Sequence, residues 1–290
     1  MVCVIVHVIT YYQKKIKIII AIIILSLSLC SCEKYDKFLS VHIIDVGQGD
    51  SILIKTPNNK NILIDGGDED NNKIINSYLK SKNIKEINMI IATHLDKDHI
   101  GTLDYIVENY TVDKIYTPNQ KDDSIPYNNL LTACKNKNLK INHLSKDDSI
   151  NLDKDIHISV LSPSYIQNND NNANSIVFNL SYKEMDFLFT GDCEKENESE
   201  IINSYDLSDV DFLKVAHHGS YTSSSDTFVK EVSPKIAAIS CGYKNNYGHP
   251  HKYTLDTLKK YNVKTFRTDL NGDLVFYSDG YKIFTTKKYK

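Results

Sequence analysis

The sequence predicts an α/β protein that folds as a four-layer αββα sandwich. Its two halves each contain short runs of Ile, Val, Leu and Phe that are typical of buried strands, and stretches that predict helices separate many of these runs. Helices that cover the outer faces of two sheets would bury both apolar surfaces, which gives the four layers. About 255 residues follow the N-terminal leader, a length within single-domain range, and 41% hydrophobic residues can supply a sizeable core.

The individual elements follow in order from these patterns. Strands are predicted in the first half near residues 41–46, 51–56, 61–65 and 87–93, and a helix near 72–82. Strands are predicted in the second half near residues 155–161, 175–182, 185–190, 210–216 and 235–241, with a short β run near 264–286. Further helices are predicted near residues 98–109, 126–137, 194–204, 223–231 and 252–261. The Asn-rich stretch 167–174 is expected to be a flexible loop, because short polar side chains compete with regular backbone pairing.

One six-residue run carries most of the chemical information. His94-Leu95-Asp96-Lys97-Asp98-His99 places two imidazoles and two carboxylates in one turn, directly after the apolar stretch 87–93. Such side chains crowded at the end of a buried strand would repel one another or lose their hydration unless cations neutralised them. The alternative is a solvated acidic turn with two incidental histidines, and the run alone favours metal binding only slightly over it.

Complementary polar groups recur at the ends of other apolar runs. Asp65 follows Leu63-Ile64, Asp192 follows Thr190-Gly191, and the pair His217-His218 follows Val215-Ala216. Because α/β proteins place their chemistry at strand ends, these groups are expected to meet the six-residue run in space. The sequence therefore predicts a two-metal hydrolase site.

The order of these motifs resembles the metallo-β-lactamase superfamily. The motifs are Asp-Gly-Gly at 65–67, His-x-Asp-x-Asp-His at 94–99, Thr-Gly-Asp at 190–192, His-His-Gly-Ser at 217–220 and Asn-Tyr-Gly-His-Pro at 246–250, and the opening Val-Gly-Gln-Gly-Asp-Ser at 46–51 is also similar. The sequence is most similar to the hydrolase domain at the C-terminus of ComEC-type DNA-uptake proteins and to its stand-alone relatives. The resemblance covers roughly residues 40–286 and implies a metal cleft at one edge between the two sheets.

The resemblance also implies a role for each motif residue. Six side chains would bind two ions: His94, Asp96, Asp98, His99, Asp192 and His217. Asp192 would bridge the ions, and His217 would complete the shell of the second ion, which Asp98 and His99 hold. Asp98 is also expected to act in catalysis. Asp65 would orient the histidine loop without contacting an ion.

Two departures from the superfamily pattern affect the metal. Asp96 stands where most members have a second histidine, and a carboxylate is a harder ligand than imidazole, so the site shifts from zinc towards manganese or magnesium. Another common histidine ligand is missing, since His143 and His157 lie in strand-like runs, and Asn174 occupies the corresponding position. The first ion is therefore expected to be weakly held or missing. The prediction is one or two divalent ions, zinc or manganese, with Asn174 in contact with the substrate.

Three more side chains are expected to serve the substrate. His218 is expected to donate a proton to the leaving group, with bracing of the turn as the alternative, and Ser220 offers a hydroxyl nearby. His249 begins a helix-like segment whose free amides favour an anion, and substrate contact and simple loop packing are equally expected there. Two cations would activate a water and stabilise both the attacking and the leaving oxygen of an in-line displacement. This chemistry suits hydrolysis of a phosphodiester.

The N-terminus predicts export. Lys14, Lys15 and Lys17 precede the apolar segment 18–25 and Ser-Leu alternation to Leu29, a pattern typical of a secretory signal. Residues 1–33 are interpreted as a lipoprotein leader lipidated at Cys32, with an uncleaved membrane anchor as the alternative, and residues 34–290 as the hydrolase domain. Either interpretation places the domain outside the cytoplasm.

Charge bears on the substrate, and three functions stay open. The chain has a net charge of −3, and loss of the leader lysines would make it more acidic, whereas a protein that grips long DNA usually has a basic face. The first hypothesis is a phosphodiesterase or nuclease that acts on DNA or nucleotides at the cell surface. The others are a hydrolase of a lactone or β-lactam bond and a non-catalytic surface binding domain.

Cys134, Cys193 and Cys241 are too few and too widely spaced to predict a disulfide framework.

Overall fold

The computed structural model describes residues 15–17, 19, 37–168 and 170–287. The strands of this part of the chain are β1 Leu39–Ile43, β2 Ile52–Lys55, β3 Asn61–Ile64, β4 Glu86–Ile87, β5 Met89–Ile91, β6 Thr111–Val112, β7 Ile115–Thr117, β8 Ile141–His143, β9 Ser149–Asp153, β10 Ile156–Ser162, β11 Val177–Tyr182, β12 Met185–Phe189, β13 Phe212–Lys214, β14 Ile236–Ile239, β15 Lys264–Arg267, β16 Leu274–Ser278 and β17 Ile283–Thr285. The α-helices are α1 Asn72–Ser81, α2 Lys97–Ile100, α3 Leu103–Asn109, α4 Ile125–Asn136, α5 Lys195–Ser204, α6 Asp226–Val232, α7 Lys252–Lys260 and α8 Thr268–Asn271. Short 3-10 turns occur at Glu69–Asn71, Asn172–Asn174 and Ala216–Gly219.

Two large mixed sheets organise these strands. The first sheet has the order β17-β16-β1-β2-β3-β5-β7-β8, and the second has the order β15-β14-β13-β12-β11-β10-β9. β3, β5, β7 and β8 run parallel in the first sheet, and β12 to β15 run parallel in the second. Parallel strands end at the same edge, so loops from each sheet gather at one edge of that sheet.

Three apolar clusters define the layers. The central cluster lies between the sheets and includes Val41, Ile54, Phe178 and Phe212. A second cluster joins the first sheet to helices α1, α3 and α4, and a third joins the second sheet to α5, α6 and α7. Apolar side chains on both faces of each sheet explain the continuous Ile, Val and Leu runs, and they confirm the predicted four-layer αββα sandwich.

The predicted helix over residues 98–109 is two helices, α2 and α3. Between them, the loop at Asp68 and Glu69 packs directly on Gly101: a Cβ on this glycine would lie 2.4 Å from the Glu69 amide nitrogen. Gly101 N donates a hydrogen bond to Gly67 O at 2.9 Å, and Thr102 Oγ1 donates to Gly66 O at 2.5 Å. The loop after β3 therefore packs against the histidine run at the interruption between α2 and α3.

Helix starts follow ordinary capping chemistry. Ser124 Oγ accepts from Tyr127 N at the start of α4, where Pro126 occupies the first turn. Ser225 Oγ accepts from Phe228 N at the start of α6. These caps explain why predicted and observed bounds agree to within a few residues.

The N-terminal predictions cannot be compared with the fold. The described residues from Leu39 onward group as one compact unit. Cys32 and almost all of the predicted leader lie outside the described residues. In the part of the chain that is described, no helix has both the length and the apolar character needed to cross a bilayer.

Candidate metal centre

Loops from both sheets meet around a cluster of imidazoles and carboxylates. Asp65 follows β3 and the run His94–His99 follows β5, whereas Asp192 follows β12 and His217–His218 follow β13. The two sets of loops are in direct contact, since Ser240 Oγ donates to Gly49 O at 2.7 Å across the two halves. Gly191 passes so close to the first sheet that a Cβ there would lie 3.0 Å from the Thr93 Cβ. The fold thus brings together groups that are far apart in the sequence.

Four overlapping sets of ligand atoms converge in this cluster, and two of them include Asp50. Ligand atoms of His94, His99 and Asp192 lie within 4.8 Å of one another, and so do those of Asp98, His99 and His218. Asp192 Oδ2 lies 3.4 Å from both His99 Nε2 and His218 Nε2. His218 Nε2 also lies 3.4 Å from Asp98 Oδ2. Two ligand atoms that share a tetrahedral ion at about 2.1 Å are about 3.4 Å apart, so these separations suit a shared cation.

Unpartnered buried atoms provide an independent test of whether a cation fits. His94 Nε2, His99 Nε2 and His218 Nε2 are buried without a hydrogen-bond partner, and so is Asp192 Oδ1. Buried polar atoms are nearly always paired, so four unpaired atoms in one cluster require an explanation. Divalent cations bound in this cluster would satisfy these atoms, and their donor types are those that bind zinc or manganese.

Hydrogen bonds on the far side of each imidazole direct its Nε2 towards the cluster. His99 Nδ1 donates to Asp65 Oδ2 at 2.9 Å, and His218 Nδ1 donates to Ser240 O at 3.0 Å. Thr93 Oγ1 donates its proton to Asp65 Oδ2 at 2.7 Å and can therefore accept from His94 Nδ1 at 3.1 Å. With Nδ1 protonated in each ring, the Nε2 lone pair is free for a metal. Asp65 thus lies where the sequence predicted an orienting carboxylate.

The cluster holds opposite charges close together. Burial disfavours the imidazolium form, but the carboxylates of Asp192 and Asp65 outweigh burial and hold the pKa of His99 well above 6.5. Burial would raise the pKa of Asp192, yet His218 and His99 hold it well below 3.8. In the absence of a cation, protons on the imidazoles balance the carboxylates, and a bound cation would replace those protons.

The structure places the second histidine of the pair among the converging ligand atoms. His218, which was predicted as a proton donor, is 1% exposed and lies within the ligand cluster. His217, predicted as a ligand, has its Nε2 3.9 Å from Asp192 Oδ2, and its Nδ1 contacts Thr222 Oγ1 at 3.2 Å and Glu194 Oε1 at 3.5 Å. Both residues adopt left-handed backbone conformations, with φ of 49° and 54°.

The remaining predicted residues divide into rim and interior positions. Asp96 lies at the rim, with Oδ2 3.5 Å from His94 Nε2 and Oδ1 accepting from Asn171 Nδ2 at 2.6 Å. His249 is also at the rim, 5.7 Å from the His217 ring between centroids. Burial, together with the nearby His218 and His217, lowers the pKa of His249 to about 4.

Asn174 and Ser220 lie in the interior, and the structure gives their polar groups other partners. Asn174 is fully buried, its Nδ2 donates to Gln120 Oε1 and Gln167 O, and its Oδ1 accepts from Gln167 N. Residues 172–174 form a 3-10 turn within the stretch that was predicted to be a flexible loop. Ser220 is 3% exposed and its Oγ contacts Thr222 Oγ1 at 3.0 Å. The polar groups of Asn174 and Ser220 thus contact residues of the surrounding loops, and their predicted contacts with the substrate stay predictions.

A buried ion pair that was not predicted from the sequence lies next to the cluster. Lys214 Nζ lies 2.7 Å from Asp50 Oδ2, and both side chains are almost completely buried. Lys214 Nζ also donates to Val215 O at 2.9 Å, and Asp50 Oδ1 lies 3.5 Å from His218 Nδ1. A lysine within the otherwise apolar run Phe212-Leu213-Lys214-Val215 was the available signal, because a charge in a buried strand needs a partner.

The three cysteines of the folded domain take no part in the cluster. Cys134, Cys193 and Cys241 are buried free thiols. Cys193 directly follows Asp192, but it does not belong to any of the four sets of converging ligand atoms in the described residues. Burial raises the pKa of the Cys193 thiol well above 9.0, which disfavours the thiolate that metal binding requires.

Comparisons with known proteins agree with this geometry. The family model of the metallo-beta-lactamase superfamily matches residues 44–243. The chain is 31% identical over 253 residues to ComE operon protein 3 of Bacillus subtilis, covering 81% of this chain and 32% of that protein. It is 30% identical over 240 residues to Recombination protein 2 of Haemophilus influenzae, covering 81% and 28%. The chain thus spans about a third of the length of these relatives.

Solved structures show the same fold at low sequence identity. Igni18, a metallo hydrolase from the archaeon Ignicoccus hospitalis, superposes with a TM-score of 0.55 at 14% identity, covering 82% of this chain and 98% of that one. The family match includes the Asp65, His94–His99, Asp192 and His217–His218 motifs. From its matched sequence and its two-sheet fold, the chain belongs to the metallo-beta-lactamase superfamily.

Proposed function

We propose that this protein is a metal-dependent phosphodiesterase or nuclease that acts on DNA or nucleotides. The observation that carries the proposal is the convergence of three unpartnered Nε2 atoms, from His94, His99 and His218, on the bridging carboxylate of Asp192. The homologous proteins named for competence and recombination support a nucleic-acid substrate, although they are about three times as long as this chain.

The donor atoms would divide between two ion positions. His94 and Asp96 would hold one ion, and Asp98, His99 and His218 would hold the other, with Asp192 available to either; His99 also converges with His94 and Asp192. The first position has fewer imidazoles and a half-exposed Asp96, so it would hold its ion more weakly. Bound divalent ions supply a water of lowered pKa and positive charge on both sides of an in-line displacement at phosphorus.

The protein's own groups would orient the reaction. Asp65 and the Ser240 carbonyl fix the directions of His99 and His218 before substrate binds. His217 is 22% exposed at the rim, and its Nδ1 contacts Thr222 and Glu194. Its Nε2 is thus placed to give a proton to the leaving oxygen, the role that the sequence had assigned to its neighbour.

Turnover by the purified protein tests this proposal. Metal-depleted protein is reloaded with zinc or manganese and assayed on a bis-aryl phosphodiester, on single-stranded DNA and on a chromogenic β-lactam. We expect both phosphodiester substrates to be cleaved, and Asp192→Ala or His99→Ala to abolish cleavage while the circular dichroism spectrum is retained. His157→Ala is the matched control, because His157 lies on β10 and its Nδ1 contacts Asn151 Oδ1.

The same experiment separates the other two hypotheses. Cleavage of the β-lactam without cleavage of either phosphodiester would replace our proposal with the second hypothesis. Metal-loaded protein that binds DNA but turns over none of the substrates would favour a binding domain. Full activity of Asp192→Ala would contradict the assigned site.

We further propose that the protein is exported and lipidated at Cys32. The proposal depends on the sequence pattern of residues 14–32, because these residues lie almost entirely outside the described structure. Fatty-acid labelling of cells should mark the membrane fraction of the wild-type protein and not that of Cys32→Ser. Unlabelled wild-type protein in the cytosolic fraction would contradict this assignment.

A further inference from the structure

An exposed aromatic side chain is connected to the metal centre through histidine rings. The His249 ring lies 5.7 Å from the His217 ring and 6.1 Å from the His218 ring. Tyr247 stacks on His249 with 5.6 Å between centroids and 21° between planes. The Tyr247 side chain is nevertheless 66% exposed, so one face of its ring is covered and the other is open.

A second exposed tyrosine continues this surface. The His251 ring lies 4.9 Å from the His249 ring, and Tyr221 lies 5.0 Å from His251. Tyr221 is 58% exposed. We call Tyr221, Tyr247, His249 and His251 the aromatic rim. The aromatic rim lies beside the cluster of ligand atoms, and each of its rings carries a polar atom as well as an aromatic face.

Backbone hydrogen bonds hold the aromatic rim in place although its tyrosines are exposed. Asn245 Oδ1 accepts from Tyr247 N at 3.1 Å and from His249 N at 3.0 Å, and Asn245 Nδ2 donates to His249 O at 2.6 Å. His251 N donates to Gly219 O at 2.9 Å, which ties the aromatic rim to the turn that carries His217. Rings that are fixed before binding lose little conformational entropy when a ligand stacks on them.

An exposed lysine lies on the loop that carries several of the proposed ligands. Lys97 belongs to the His94–His99 run, its side chain is 67% exposed, and its Nζ lies 3.1 Å from Asp68 Oδ2. The exposed ring of Tyr247 and the exposed ammonium of Lys97 thus both neighbour the metal centre.

We propose that the aromatic rim binds an unstacked nucleobase of the substrate, with Tyr247 as the stacking face and Lys97 next to the adjoining phosphate. Aromatic rings beside cations are the usual means of binding single-stranded nucleic acid, because every base has an aromatic face. Bases within a duplex are already stacked, so a single strand or a short nucleotide is preferred over a duplex. This inference rests on the proposed function and adds the class of substrate.

Binding measurements on the wild-type protein, Tyr247→Ala and Tyr247→Phe test the inference. Fluorescence anisotropy on metal-free protein reports binding of a labelled single-stranded oligonucleotide, of the same strand with abasic sites and of its duplex. We expect Tyr247→Ala to weaken binding of the normal strand about tenfold and Tyr247→Phe to restore it. We expect the abasic strand and the duplex to bind the wild type and Tyr247→Ala equally. Tyr281→Ala is the matched control, because Tyr281 is also 66% exposed but precedes β17 at the edge of the first sheet.

Competition with an unlabelled dinucleotide separates a free nucleotide from a strand. A dinucleotide that competes as well as the oligonucleotide supports a nucleotide substrate, and weaker competition supports a strand. Equal binding of the normal strand by the wild type and Tyr247→Ala would overturn the inference. So would an equal loss for the normal and abasic strands, since a base would then not be the group recognised.

Activity assays distinguish failure of this inference from failure of the proposed function. With metal-loaded protein, Tyr247→Ala should raise KM for the oligonucleotide about tenfold and leave kcat unchanged. If Tyr247→Ala cleaves the phosphodiester substrates with the KM and kcat of the wild type, the inference about the aromatic rim is wrong and the proposed function is retained. Base-dependent binding without any phosphodiester turnover overturns the proposed function and retains the aromatic rim as a nucleic-acid binding surface.

Discussion

Replacing Lys214 with methionine is expected to destabilise the metal-free protein strongly. The variant keeps the length of the side chain but removes the ammonium that lies 2.7 Å from Asp50 Oδ2, where both partners are almost completely buried. Asp50 would then keep a buried negative charge with the more distant His218 ring, 3.5 Å from Asp50 Oδ1, as its remaining ion-pair partner. Removing one partner of a buried ion pair costs about 3–5 kcal/mol in the free energy of unfolding. For a domain of this size, that corresponds to a fall in Tm of roughly 6–20 °C.

A second ion pair in the same sheet provides the control. Lys235 Nζ also lies 2.7 Å from its partner, Asp211 Oδ1, but the Lys235 side chain is 61% exposed. Lys235→Met is therefore expected to cost about 0–1 kcal/mol. Urea unfolding of both metal-free variants, followed by circular dichroism, measures the difference. The double variant Asp50→Asn with Lys214→Met should recover part of the lost stability, because the unpaired charge is removed.

Two outcomes of these measurements would contradict the expected role of the Lys214–Asp50 pair. If Lys214→Met unfolds within about 1 kcal/mol of the parent, as an exposed pair would, the burial of the pair has no energetic importance. If the double variant is no more stable than Lys214→Met alone, the loss comes from the missing hydrogen bond to Val215 O and not from the charge on Asp50.

The remaining predictions concern the metal centre. His218→Ala should lose one equivalent of bound metal by elemental analysis, whereas His217→Ala should keep its metal and lose roughly 10²–10⁴-fold in kcat; the opposite pattern would restore the order predicted from the sequence. Asp65→Asn should weaken metal affinity about 10–100-fold in calorimetric titration, and unchanged affinity would contradict its orienting role. Because carboxylates outweigh burial and raise the pKa of His99 and His218, the metal-free protein holds protons there that an ion must displace. Zinc affinity should therefore rise as the pH increases from 6.5 towards the raised pKa values, while the stability of the metal-free protein falls over the same range; a zinc affinity that does not change with pH would contradict this expectation.

Most of the secondary structure could be predicted because the strands of both sheets are buried on two faces. Such strands appear as continuous apolar runs, as in Ile62-Leu63-Ile64 and Met89-Ile90-Ile91. β9 was missed because Ser149–Asp153 is an edge strand with polar residues at alternate positions, and it pairs only with β10 in the second sheet. The break at Gly101 depends on the approach of Glu69, a tertiary contact that helical periodicity cannot show.

The metal centre could be predicted down to the motif but not to the individual histidine. His217 and His218 are adjacent in the sequence, and their backbone conformations, with φ of 49° and 54°, could not be predicted from the motif. Asp50 lay in a motif that resembled the family, yet its importance depends on Lys214 in another sheet. The hydrogen bonds of Asn174 and Ser220 come from Gln167, Gln120 and Thr222, and these tertiary partners could not be predicted from the motifs.

The ligand atoms come from two different sheets, so the concentration of divalent ions would affect how long the protein survives proteolysis. His99 comes from the first sheet and His218 from the second, so an ion shared between them would fasten the two halves together. Its binding free energy would add to the free energy that opposes opening of the sandwich. Chelators would then act as denaturants, and in an environment poor in divalent ions proteases would reach the opened chain sooner.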